Sequence, residues 1–156
     1  MQPIYQNPNQ PTTAGVYRTS LILWAAMLFA QFLLLVVLYF AKPEVFNFGA
    51  NGNESNEFGF ILIGLAIIGL LAFAVSFVVK ARVLAYAIEN HALPLVQNAH
   101  IVAWALCEAI SLFGLIAAFA FDSRFFFVWF ALGILGMLLH FPRRAQFEAA
   151  AFTGIK

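Results

Sequence analysis

Apolar residues run through this chain in four long blocks, 19–41, 58–79, 101–121 and 125–141, separated by short polar stretches. Each block approaches or exceeds the roughly 17 to 25 helical residues that a hydrocarbon core of about 30 Å requires. Period-2 alternation is absent, which argues against a barrel. Backbone groups in lipid must be satisfied within their own segment, so each block is expected to be a helix. The apolar pattern does not stop at Lys80: Val83, Leu84, Tyr86, Ala87 and Ile88 continue at helical spacing. The second helix therefore projects past the bilayer and turns near residues 90–94, and the third starts near Gln97 or Asn98.

Before the first block, residues 1–18 are rich in Gln, Asn, Pro and Thr and are expected to form a mobile polar tail. This stretch lacks the basic start of a signal peptide, and the apolar block after it is too long for one. Pro142, followed by Arg143 and Arg144, closes the fourth span, the proline ending the helix and the arginines reaching to headgroups. Residues 145–156 then read as a short cytoplasmic helix or tail. The four spans, 19–144, form one domain.

Basic residues set the orientation. Arg18, Lys80, Arg82, Arg143, Arg144 and Lys156 fall on one side, and only Lys42 and Arg124 on the other. The excess of basic residues on one side places both termini and the middle turn in the cytoplasm. The expectation is an all-α, integral membrane four-helix protein built from helical hairpins, crossing a bacterial inner (plasma) membrane several times. Tyr17 and Tyr39 bracket the first span, and Trp129 lies near the outer end of the fourth, where aromatic rings favour the interface. In the first outer loop, Asn53, Glu54 and Ser55 spell a glycosylation acceptor, a pattern short enough to arise by chance.

Composition supports this frame: 63% of the 156 residues are hydrophobic and 10% charged, with a mean hydropathy of +0.90. Soluble domains carry about 25% charged residues. A net charge of +1, without a dense basic patch, excludes nucleic acid as a partner. Cys107 is the only cysteine, so neither a disulfide framework nor a cysteine metal site is available. Ser76 and Ser111 have no histidine at helical spacing, Asp122 and Arg124 read as a solvated loop pair, and no phosphate-cradling glycine loop is present; an enzyme is not indicated. The partners expected are the lipid bilayer and either further copies of the chain or the subunits of a larger membrane complex. Nineteen phenylalanines, several clustered at residues 119–127, suit such contacts as well as lipid.

Against this background one residue stands out. Glu108 is the single carboxylate in the third span, at a cost of about 2.5 to 3.5 kcal/mol on insertion scales, which makes it a candidate for reversible protonation or cation binding. Ser111, one turn on, and Gln31, in the first span, are its candidate partners. The competing reading is packing: a neutral carboxyl hydrogen-bonded to Ser111 or to a neighbouring helix. His100 begins the third helix and His140 ends the fourth, at similar depth. Such a pair can ligate a bis-histidine haem or serve a quinone, and can equally be two interfacial histidines.

The stretch Ala105, Leu106, Cys107, Glu108, Ala109, with Phe113, Gly114 and Leu115 after it, resembles the carboxylate-bearing helix of the proteolipid subunit c of rotary ATPases. The likeness extends over residues 63–121, a hairpin with a polar cytoplasmic turn. It implies a non-enzymatic membrane protein, with Glu108 as the residue that holds a transported proton or cation. A structural or assembly subunit of a larger energy-transducing complex is the alternative.

Overall fold

The computed structural model describes residues 12–47 and 59–152, and among these every regular element is helical. The helices are α1 (Thr13–Ala41), α2 (Gly59–Glu89), α3 (Leu93–Phe121), α4 (Phe126–Leu139) and α5 (Arg144–Ala151), with a 3₁₀ turn at Pro43–Phe46. Residues 1–11, the Asn53 acceptor pattern and Lys156 lie outside the described residues. α1, α2 and α3 are long and apolar enough to cross a membrane, and α4 with α5 qualifies only as one span bent by 47°. This is an all-helical membrane protein.

The first helix begins earlier than the expected tail allowed. Thr12 caps it, its hydroxyl accepting from the Gly15 N–H at 3.2 Å, so residues 13–18 of the predicted mobile segment are ordered helix. Packing reinforces the cap: Val16 is buried in a cluster with Ala87, Val96, Phe147 and Ala150, and Tyr17 meets the Phe147 ring edge-on at 5.6 Å.

At the turn between α2 and α3 the chain reverses within three residues. His91 takes a left-handed conformation (φ 51°), the Ala92 N–H reaches back to the Ala87 carbonyl at 2.9 Å, and the His91 N–H to Ile88 at 3.3 Å. These two bonds are the Schellman pattern that closes a helix C-terminus. α3 then starts at Leu93, four residues before the expected Gln97, because Pro94 falls in the first turn, where its missing N–H costs nothing. A side chain at φ 51° is strained where glycine is not. His91→Gly is expected to raise stability by about 1 kcal/mol, read as a shift of the unfolding midpoint in detergent; an unchanged or lower midpoint would count against the strain.

α3 is the hub. In its most apolar window 44% of residues are buried, against 11% in the corresponding windows of α1 and α2. It packs between α2 and α4, and α1 lies along its remaining side. Glycines set how closely α4 approaches. A side chain at Gly133 would overlap the Ser111 hydroxyl, one at Gly136 would lie 2.7 Å from Cys107 Sγ, and Trp129 occupies the space a side chain at Gly69 would need. Trp129, expected at the interface, is thus 8% exposed, seated between α2 and α3 because Gly69 leaves room for its ring and Gly114 for its Cβ.

Two further differences concern the ends of the hairpins. α4 covers only Phe126–Leu139, shorter than the expected 125–141, and at about 1.5 Å per residue it is about 21 Å long. The Asp122 carboxylate, read from the sequence as part of a solvated loop pair, takes the Lys42 ammonium from the end of α1. Lys42 also donates to the last carbonyls of α3, Ala118 at 3.3 Å and Phe119 at 3.2 Å, where a cation opposes the negative end of the helix dipole.

Candidate functional site

Two fixed points give the register of α1 against its neighbours. Leu38 is packed with Ala118 in one cluster, and Trp24 Nε1 donates to the Met137 carbonyl of α4 at 2.9 Å. Gln31 lies seven residues before Leu38 on α1, and Ser111 seven residues before Ala118 on α3. Gln31 and Ser111 are both fully buried. Among the described residues neither the Gln31 carboxamide oxygen and nitrogen nor the Ser111 hydroxyl has a hydrogen-bond partner.

Glu108 sits one turn toward the basic end on the same helix. It is half-buried, at the margin of the α3 face that packs in the bundle. The packing hydrogen bond to Ser111 is not formed, since the Ser111 hydroxyl has no partner. On a helix, residues 107, 111 and 114 line the seam toward α4, while residue 108 is turned about 100° away from residue 107.

A second group of polar side chains fills the bundle nearer the basic end. His140, just after α4, is 1% exposed, and its Nε2 lies 2.9 Å from Ser76 Oγ on α2. The Ser76 hydroxyl proton is given to the Phe73 carbonyl at 2.6 Å, so the histidine N–H must be the donor between the two. Nδ1 is then a lone-pair acceptor, buried and without a partner. This serine–histidine contact was not legible from helical spacing, because its members come from different helices. The Ser76 hydroxyl points at a backbone carbonyl, and among the described residues no side chain reaches the other imidazole nitrogen.

The carbonyl of His140 collects two donors, Trp104 Nε1 at 3.0 Å and Lys80 Nζ at 3.5 Å. Trp104, completely buried, also borders the His100 ring at 5.6 Å. His100 Nδ1 donates to the Val96 carbonyl at 2.8 Å. Its Nε2 and the Gln146 side-chain oxygen approach one another without closing a hydrogen bond. The two histidines expected at similar depth are therefore both drawn to Trp104. Their ring faces are covered by aromatics, Phe147 stacked on His100 at 5.5 Å and Phe77 tilted over His140 at 4.3 Å. Among the described residues no three His, Cys, Asp or Glu side chains converge on a metal-sized position.

The bundle thus holds a row of polar groups: His100, Lys80, His140 and Ser76 toward the basic end, then Ser111 and Gln31 deeper. Lys80 and Trp104 are the members that sequence reading missed. Lys80 looked like an interfacial charge marking the end of a span; its 9% exposure is the signal that only the packed structure supplies. No known family model, curated protein or solved structure matches this chain.

Proposed function

We propose that this is a non-enzymatic, multi-pass protein of a bacterial inner membrane, with both termini cytoplasmic, which binds or passes protons or small cations at Glu108 with the help of Ser111 and Gln31. One observation carries this reading: Gln31 and Ser111 are fully buried inside the bundle, with their polar atoms unpaired among the described residues. A buried polar group without a partner costs about 1 to 3 kcal/mol. A hydrated proton or a cation held between such groups relieves that cost, and a carboxylate one turn away supplies the counter-charge. The resemblance of the hairpin to the proteolipid subunit c points the same way.

The test is reconstitution of the purified protein into vesicles, with proton flux followed by a trapped pH dye and Glu108 labelled by a carboxyl-directed carbodiimide. Glu108→Gln is expected to abolish both flux and labelling, and Gln31→Leu to reduce flux by about tenfold, the equivalent of roughly 1.4 kcal/mol. Flux in Glu108→Gln equal to that of the wild type would sink the proposal.

A second reading, a subunit of a larger energy-transducing complex, is favoured by the shallow burial of α1 and α2, each with 11% of its apolar window covered within the chain. Purification in a mild detergent separates the two: a fixed set of other subunits supports the complex, and a homomeric assembly supports the ion-handling protein.

A further inference from the structure

Lys80 is held in a setting that gives its ammonium too little. The side chain is buried to 9% exposure on α2, and an ammonium has three donors. Its single acceptor within the chain is the His140 carbonyl, at a long 3.5 Å, and Trp104 already occupies that carbonyl at 3.0 Å. Among the described residues no carboxylate is paired with it. The titratable groups on the elements packed about it are His100 and Cys107 of α3, His140 at the end of α4, and Arg143, three residues further along the chain. Cations gathered at one end of a bundle repel, by an amount that grows as water is excluded, unless an anion lies among them.

The chain supplies further complements to an anion here. Arg143 is the residue that leads into α5, whose first turn has no side-chain cap and no acidic residue. The Gln146 N–H is taken by the Arg143 carbonyl at 3.0 Å, and the positive dipole end of the helix adds to the two side-chain charges. The exposed Arg143 carries no ion pair, whereas its neighbour Arg144 is already engaged with Glu148 at 2.7 Å. The place is also just past the end of α4 at Leu139, and Phe77 and Val78 present exposed apolar surface there on the turn of α2 just before Lys80. Charge beside an apolar face, at the end of a span, matches a phosphate with acyl chains attached.

We infer that Lys80 and Arg143, with the open first turn of α5, bind the phosphate of an anionic phospholipid from the leaflet at the basic end of the bundle. A free phosphate shares the chemistry but has no use for the apolar face.

The experiment titrates full-length protein in neutral detergent with phosphatidylglycerol, phosphatidylcholine and inorganic phosphate, followed by native mass spectrometry and thermal unfolding. Phosphatidylglycerol is expected to be retained and to raise the melting temperature, while phosphatidylcholine and inorganic phosphate do neither. Lys80→Met and Arg143→Gln are each expected to weaken retention about fivefold, the effect of one basic residue near a lipid surface. Arg143 is exposed, so its variant folds even if Lys80→Met does not. Arg82→Gln, an exposed charge on the same end of α2, is expected to leave retention unchanged. Equal retention of phosphatidylcholine overturns the site, as does an equal loss in the Arg82 and Arg143 variants, which would reduce it to diffuse surface charge. Stabilisation by inorganic phosphate alone overturns the assignment to lipid.

Discussion

Gly133→Ala is expected to lower the stability of the bundle by about 3 kcal/mol, at the upper end of overpacking costs, and to do more damage than Gly136→Ala. The difference lies in what the new methyl would strike. At residue 133 it meets the Ser111 hydroxyl, which can rotate, and the Cys107 carbonyl oxygen at 2.8 Å, which belongs to the backbone of α3 and cannot. At residue 136 it meets Cys107 Sγ at 2.7 Å and the edge of Phe73 at 3.1 Å, both parts of side chains with some freedom. Small residues are what let membrane helices approach closely, and α3 is the helix on which the others converge. Unfolding each variant in mixed micelles of mild detergent and dodecyl sulfate gives the two free energies. The close-approach account fails if alanine is tolerated equally at both positions.

The spans were readable because lipid imposes a simple requirement, a run of apolar residues long enough to bury every backbone group. Blocks 19–41, 58–79 and 101–121 reappear as α1, α2 and α3. The ends were less readable, since they depend on single contacts. Thr12 starts α1 with one hydrogen bond, Pro94 fixes the start of α3, and α4 stops at Leu139, three residues ahead of Pro142. The brevity of α4 was hidden because its flanking residues, Phe125, His140 and Phe141, are themselves aromatic and prolong the apolar pattern without prolonging the helix.

The polar interior divides in the same way. Glu108, Ser111 and Gln31 stand out in sequence because each is a polar residue in an apolar run, but their relative depth is a property of how α1 lies on α3. The pairing of Ser76 with His140, and the burial of Lys80, arise only when α2 and the end of α4 meet around Trp104. Helical spacing reports neighbours on one helix. It is silent about partners 64 residues apart.

Trp104 is where those strands of the fold converge, and Trp104→Ala is expected to cost about 3 to 5 kcal/mol, the range for removing a buried large aromatic side chain. The ring is fully buried, so its loss leaves a cavity among His100, His140 and Lys80. The indole N–H is also the closer of two donors to the His140 carbonyl, 3.0 Å against 3.5 Å from Lys80. Trp104→Phe separates the two contributions: it keeps most of the volume and removes the hydrogen bond, with an expected loss of about 1 kcal/mol beyond the volume change. Because the carbonyl belongs to the residue that caps α4, the phenylalanine variant should also loosen the turn between α4 and α5, which is seen as faster hydrogen exchange of the backbone N–H groups at 140–147. Equal stability of the phenylalanine variant and the wild type, with unchanged exchange there, would mean that packing alone holds this end of the bundle and that the indole hydrogen bond contributes nothing.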